Sequence, residues 1–321
     1  MTAPIGNSIS VVIVTFESAT TIEQCIQSVV DDDPLAQIIV VDNASTDGTI
    51  QAFRHSTHGG DSRPAADRGI ELTADVQVIS NPDNRGFAAG CNQGAVEAQG
   101  DIVAFLNPDA FVVGGALTAL ATHLRADPGI GLIGCRIVDE SGRTHGPQRR
   151  REPTWRRSFM TLSGLDRFES RWPMLAGIEC APNAVSGGVR QMSIEDVDAV
   201  NGAVMVLPLA RFRQIGGFDE AFTLHAEDLD LCRRIRDIGV RVVMANDVEI
   251  VHVGGVSSRR RPFWVEWQKT RSLWRYFRKH DPASGWIVRI SVAVGLGVRL
   301  TITAIVTTLQ LARSRGGRSK A

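Results

Sequence analysis

The chain has 321 residues, enough for one large domain with an appendage or for two modest ones. Its 43% hydrophobic and 22% charged content excludes collagen-like, disordered and disulfide-scaffold classes. The 35 basic and 35 acidic residues cancel, yet residues 253–321 hold 14 Lys and Arg against only Glu266 and Asp281, so an acidic body precedes a basic tail.

The N-terminal residues MTAPIGNSIS show neither a basic leader region nor an apolar stretch, which sets a cytoplasmic location as the expectation. Cys25, Cys91, Cys135, Cys180 and Cys232 are widely spaced with no CxxC pair, the usage of a reducing compartment. Residues 10–15 (SVVIVT) form a β-branched run suited to a strand buried on both faces. Residues 20–30 follow with Ile22, Cys25, Ile26 and Val29 at helical spacing. A second strand is predicted at 38–41, a helix at 49–54, a third strand at 76–80, a helix at 87–99 and a fourth strand at 102–106. Strands alternating with helices predict a mostly parallel, doubly wound α/β sheet, which binds ligands at the carboxyl ends of its strands.

Residues 55–71 read as a surface loop and residues 142–183 as an irregular substrate loop containing Arg149–Arg151. Further on, a strand is predicted at 200–207, a helix at 224–238 and two short strands at 240–244 and 249–251.

Polar residues at strand ends carry the chemistry. Asp42 and Asn43 end the second strand within reach of a ligand's base or ribose, or they form a capped turn with no ligand. Asn84, Arg85, Gly86 and Gly90 suit a close approach to phosphate, or equally a tight helix entry. In LNPDA, Asn107 and Asp109 follow an apolar strand, where a carboxylate can ligate a divalent cation or simply form a β-turn. Glu227 and Asp228 open a helix, as a general-base pair or as plain N-terminal acids. His252 follows a short strand and is either a metal ligand or structural.

Taken in order, VVIVTFES, VDNASTDGT, NPDNRGFAAGCN with LNPDA, and VNGAVMVLP with GGFDEAF, EDLDLCRR and EIVHVGG resemble the family 2 glycosyltransferases, in particular their bacterial rhamnosyltransferase-like branch. The resemblance spans residues 9–258. It implies a GT-A type, Rossmann-like catalytic domain over residues 1–258. Thr15, Glu17, Asp42 and Asn43 match nucleotide contacts, and Asn84, Arg85, Gly86, Gly90 and Asn107 belong to the donor side. Asp109 matches the last position of a metal-binding DxD whose first Asp is Asn107 here, with His252 completing the shell around Mg²⁺ or Mn²⁺. Asp228 matches the catalytic base with Glu227 beside it, and Asn201, Gly202, Gly217, Phe218 and Asp219 fall on the acceptor side. The implied reaction is an inverting transfer, with L-rhamnose from dTDP-rhamnose as the first expectation. The alternatives are a galactofuranosyl or N-acetylglucosaminyl donor on UDP, and a catalytically silent donor-binding module. The implied acceptor is a polyprenyl-linked or other glycan of the cell envelope.

Residues 259–321 form a region of their own. Residues 264–280 interleave aromatic and basic side chains, as in the headgroup layer of an anionic membrane or in a helical pair packed on the catalytic domain. The acidic body argues against a nucleic-acid partner. Residues 286–312 are apolar but interrupted by Arg289 and Arg299, the pattern of an in-plane amphipathic helix rather than a span. The expected location is therefore cytoplasmic and peripheral, at the inner face of the plasma membrane.

Overall fold

The structure, a computed structural model, describes residues 5–52, 76–144, 146, 148–163, 165–180, 193–254 and 262–281, with residues 286, 290, 293–295, 297 and 301 beyond them. The loop expected at 55–71 and most of the helix expected at 286–312 lie outside the described residues.

The first half follows the pattern of buried strands and covering helices: β1 (Ile5–Thr15), α1 (Ile22–Asp32), β2 (Gln37–Asp42), β3 (Val76–Ser80), α2 (Phe87–Glu97) and β4 (Gly100–Leu106). These four strands pair in parallel in the order β3-β2-β1-β4. Their side chains alternate between two cores. Val11, Ile13, Ile38, Val40 and Ala104 face α1, whereas Val12, Val14, Ile39, Val41 and Phe105 face α2. Burial on both sides is why each strand reads as a continuous apolar run.

Between residues 110 and 138 the sequence carries no clear expectation. There the chain forms β5 (Ala110–Val112), α3 (Ala116–Ala126) and β6 (Ile130–Val138), with Leu117, Leu120 and Leu124 of α3 joining the α1 side of the core. The segment expected to be irregular holds β7 (Arg149–Arg150), α4 (Trp155–Ser163) and two 3₁₀ turns at Leu165–Phe168 and Pro173–Leu175. After it come β8 (Ile194–Asp196), β9 (Ala199–Val200), β10 (Val204–Pro208), α5 (Leu209–Gln214), α6 (Glu227–Asp237), β11 (Arg241–His252) and α7 (Pro262–His280).

β10 runs antiparallel between β4 and β6, so the sheet is mixed rather than wholly parallel. β6 and β11 are again parallel, and β5 and β8 flank β11 antiparallel. The two short strands expected at 240–251 are one strand whose register shifts between Ala245 and Glu249. The helix expected from residue 224 begins only at Glu227, because His225 and Ala226 take left-handed backbone angles that no helix interior allows.

α7 follows the packed reading of residues 264–280. Gln268, Ser272, Tyr276 and Phe277 are buried, and Tyr276 joins the core on the α2 and α6 side. Ser272 Oγ donates to the Leu224 carbonyl at 2.9 Å, and Lys279 Nζ reaches Asp219 at 2.8 Å and Asp230 at 2.7 Å. Much of this aromatic and basic stretch is therefore packed on the acidic body, with Trp267 left at the surface.

Candidate functional site

The parallel register places Thr15, Asp42 and Ser80 side by side at the carboxyl ends of β1, β2 and β3. Asp42 is buried; its Oδ2 accepts the Ser45 amide at 3.2 Å while Oδ1 has no partner. Thr15 Oγ1, opposite it, is also buried and has no partner. Unpartnered buried polar atoms are uncommon and costly, so two in register mark a place where an entering group supplies the missing bonds.

Asn43 bridges neighbouring turns: its Nδ2 donates to the Gly86 carbonyl at 3.1 Å and its Oδ1 accepts from Asn81 at 2.9 Å. Glu17 braces the same edge by accepting both the amide and the hydroxyl of Thr46. Asn84 Oδ1 accepts the Gly86 amide at 3.0 Å, and Arg85 is exposed beside it. Gly86 has φ of +86°, and a Cβ there would come within 2.9 Å of the Thr223 carbonyl. The donor-side turn thus presses against the residues just ahead of α6. Gly90 has a different role: it lies inside α2 against Val14, so its missing side chain lets the helix approach β1.

Asp109 and His252 meet because β5 pairs with the end of β11, with His252 opposite Ala110. His252 Nε2 lies 3.0 Å from Asp109 Oδ1, and the Val253 amide donates to the Asp109 carbonyl at 3.1 Å. A hard oxygen beside an imidazole nitrogen suits a divalent cation. Among the described residues no third His, Cys, Asp or Glu joins them, so the protein offers two such donors and leaves the rest of the shell to a ligand or water. Asn107 holds the same turn in place, its amide donating to the Ala203 carbonyl at 3.0 Å.

That bond ties the Asp109 turn to Asn201–Ala203, and Gly202 in turn abuts Asp228. Asp228 is buried at the first turn of α6, where the helix dipole favours its charge. Its Oδ2 is ion-paired with Arg150 of β7, whose guanidinium also donates to the Val200 carbonyl at 3.1 Å. Glu227 is buried beside it, with Oε2 unpartnered. Burial, and then the charge of Asp228, push the Glu227 carboxyl well above the usual carboxylate range. The two acids therefore sit in different surroundings: Glu227 is buried with an unpartnered oxygen, whereas Asp228 faces a fixed guanidinium.

Gly202 fixes how closely Asp228 approaches the sheet. A Cβ at residue 202 would lie 2.7 Å from Asp228 Oδ2. Gly202→Ala is accordingly expected to displace the carboxylate and lower kcat by ~10²-fold, the scale of an ångström misplacement. The thermal midpoint should change little, because the carboxylate moves and the fold does not. Steady-state kinetics beside a melting curve check both halves.

Two expected acceptor residues are engaged with the body of the fold. Phe218 is buried among Phe87, Phe105 and Phe212, with its amide bonded to Asn92 at 2.8 Å. Asp219 is bound to Lys279 and Arg275 of α7. Gly217, at φ +74° with its carbonyl bonded to Arg234, shapes the turn that carries them. Asn201 stays by the site, its Oδ1 accepting the Ala203 amide at 2.9 Å. Arg150, conversely, escapes sequence reasoning: the triple-arginine run was visible, but its partner lies 78 residues away.

Residues 10–184 match the family model "Glycosyl transferase family 2". The N-acetylglucosaminyl-diphospho-decaprenol L-rhamnosyltransferase of Mycobacterium tuberculosis is 26% identical over 269 residues, covering 78% of each chain. The pre-mycofactocin glycosyltransferase of the same organism is 30% identical over 178 residues, 55% of this chain and 32% of that one. Among solved structures, the mannosyltransferase PcManGT from Pyrobaculum calidifontis, in complex with GDP-Man and Mn²⁺, superposes with a TM-score of 0.56 at 18% identity, covering 97% of this chain and 76% of that one. GalNAc-T7 with UDP, GalNAc and Mn²⁺ gives 0.57 at 16% identity, covering 84% and 47%. At those identities the likeness concerns the fold, which is GT-A. With more than half of the chain matched by the family model and the motif turns gathered at one sheet edge, this chain belongs to glycosyl transferase family 2.

Proposed function

We propose that this glycosyltransferase moves L-rhamnose from dTDP-rhamnose, with inversion, onto a polyprenyl-linked acceptor in cell-envelope glycan synthesis. The observation that carries the donor reading is the pair of buried, unpartnered atoms at the heads of β1 and β2, Thr15 Oγ1 and Asp42 Oδ1. A nucleoside entering there supplies a donor to Asp42 and a partner to the Thr15 hydroxyl. The choice of sugar and acceptor is supported by the rhamnosyltransferase relative, which covers most of both chains.

In this reading the acceptor hydroxyl gives its proton to Asp228 as its oxygen bonds to the anomeric carbon. The bond from that carbon to the diphosphate oxygen breaks, and the nucleoside diphosphate departs. Asn84, Arg85 and Gly86 border the diphosphate. Asp109 and His252 would hold Mg²⁺ or Mn²⁺, which supplies positive charge against the leaving group. Glu227, protonated, spares Asp228 a second adjacent charge. Arg150 fixes the orientation of the Asp228 carboxylate until the acceptor arrives.

A lipid-linked acceptor keeps its reactive sugar at the bilayer surface, which supports a peripheral position on the inner face. Among the described residues no helix is long and apolar enough to cross a membrane. Trp286, Ile290 and Val294 are exposed, and the apolar run interrupted by Arg289 and Arg299 supports a helix lying in the interface.

Thermal shift with dTDP-rhamnose, UDP-galactofuranose and UDP-N-acetylglucosamine, each in Mn²⁺ and in EDTA, tests the proposal. The expected result is stabilisation by dTDP-rhamnose above the others, with Asp109→Ala losing the Mn²⁺-dependent part and matching wild type in EDTA. Preferential stabilisation by a UDP-sugar reassigns the donor. Equal behaviour of wild type and Asp109→Ala in both conditions removes the metal assignment.

A further inference from the structure

We infer that the segment from Trp155 to Met174 is a docking face for an anionic lipid bilayer, separate from the C-terminal tail and joined directly to the catalytic carboxylate. The inference rests on the lipid-linked acceptor proposed above.

The segment is built, not trailing. The Arg156 guanidinium donates to the Met174 carbonyl at 2.7 Å, which closes α4 onto the second 3₁₀ turn. The Ile178 amide bonds Thr161 Oγ1 at 2.9 Å, and Ile178 is buried. Arg151 clamps the unit from below by its ion pair with Glu169.

On this frame the large apolar side chains point outward. Trp155, Phe159, Phe168, Trp172 and Met174 are 41–68% exposed. Phe168 and Trp172 stand edge to face at 6.2 Å, so the apolar groups form a patch and not scattered singles.

The charges are sorted as well. Glu152 turns inward to Arg233 and Arg236, and Glu169 to Arg151, whereas Arg156, Arg167 and Arg171 are exposed. Arg167 lies over the Phe168 ring at 4.9 Å, cation and aromatic face together. Residues 1–252 carry 33 acidic against 21 basic residues, so this cationic patch runs against the charge of the body around it.

Aromatic side chains with interspersed arginines match the headgroup layer of an anionic leaflet, where each basic residue contributes ~1 kcal/mol. A second copy of the chain fits poorly, because a two-fold contact would set the three arginines against one another. The geometry also gives the face a purpose. β7 lies just ahead of Trp155 in the chain, and Arg150 of β7 is the residue paired with Asp228. A bilayer held at this face therefore lies one short connection from the proposed base.

The test uses the full chain with vesicles of phosphatidylcholine containing phosphatidylglycerol, and with phosphatidylcholine alone. Brominated lipids in the anionic vesicles should quench tryptophan fluorescence, and Trp155→Phe or Trp172→Phe should each remove part of the quenching. Combined Arg156→Gln, Arg167→Gln and Arg171→Gln should weaken anionic vesicle binding by ~10²-fold, three residues at ~1 kcal/mol each. Donor-induced thermal shift should be unchanged, since none of these residues borders the donor. Vesicle binding and quenching that stay at the wild-type level in all variants overturn the docking face while leaving the lipid-linked acceptor standing. A change of oligomeric size in the variants also overturns it, because a second copy then covers the patch. Transfer by wild type to a water-soluble glycan with no vesicle binding overturns both the face and the reading beneath it.

Discussion

Asp228→Asn is expected to lower turnover by ~10²-fold or more while donor binding stays close to wild type, the cost of losing a positioned general base. In the proposed mechanism the carboxylate acts on the acceptor hydroxyl, and the amide has the same shape without the proton affinity. Two features make this outcome specific to Asp228. Glu227, its neighbour, is pushed above the usual carboxylate range by burial and by the Asp228 charge, which favours its neutral form and makes it a poor substitute. Glu227→Gln should therefore cost much less than Asp228→Asn in kcat. Arg150, in turn, faces a neutral amide in the Asp228→Asn variant, whose oxygen can still accept its hydrogen bond but no longer balances its charge. The measurement is kcat beside donor affinity for the three proteins. Near wild-type turnover by Asp228→Asn moves the role of base elsewhere, and a larger loss in Glu227→Gln moves it to Glu227.

The second large effect concerns α7. A chain ending at residue 258 is expected to lose its cooperative fold, whereas one ending at residue 281 should keep it. The reason is the fully buried Asp230 of α6, which is met by Arg234 at 2.8 Å and by Lys279 and His280 of α7 at 2.7 Å each. Burial alone would raise the Asp230 carboxyl, but His280, Arg234 and Lys279 together hold it down to about 2. Removing α7 strips two of the three partners and exposes the surface that Tyr276 covers. Breaking a buried ion pair by removing one side costs ~3–5 kcal/mol, a large part of the stability of a domain. The same group sets an acid limit. A carboxyl held below its unfolded value of 3.8 stabilises the fold above that pH and gives up the stabilisation as pH falls toward 2, on the order of 2 kcal/mol. Asp230→Asn should flatten that part of the acid unfolding curve while lowering stability at neutral pH. Thermal unfolding of the two truncated chains, and acid titrations of wild type and Asp230→Asn, give the answer.

The first strands and the turns that end them were legible because their physics is local. β1, β2 and β4 are apolar runs that stop at polar residues, and in an α/β sheet those stops line the ligand edge. Asp42, Asn43 and Asp109 could be named that way, from position alone, whereas Asp228 stood out as an acid opening a helix. Phe218 and Asp219 could not be placed: a GGFD turn reads the same whether its aromatic side chain meets a ligand or fills a core. What decides is Asn92 holding the Phe218 backbone from α2, a contact across 126 residues. α7 was ambiguous for a related reason. Its alternating aromatic and basic side chains suit a headgroup layer and an acidic protein surface equally well, and only the positions of Asp219 and Asp230 distinguish them. The mixed sense of the sheet was invisible because strand direction leaves no trace in a five-residue apolar strand such as β10.

That reversed strand has a consequence for the order in which the protein is made. β1 to β4 are complete once residue 106 has left the ribosome, but the far edge of β4 waits for β10, about a hundred residues later. At roughly 5–20 residues per second the delay is on the order of 5–20 s. During it the backbone of β4, with Val103 and Phe105 beside it, is an open strand edge on a nascent chain. The donor half of the site is thus synthesised first and finished late, and its survival in the interval falls to whatever shields that edge.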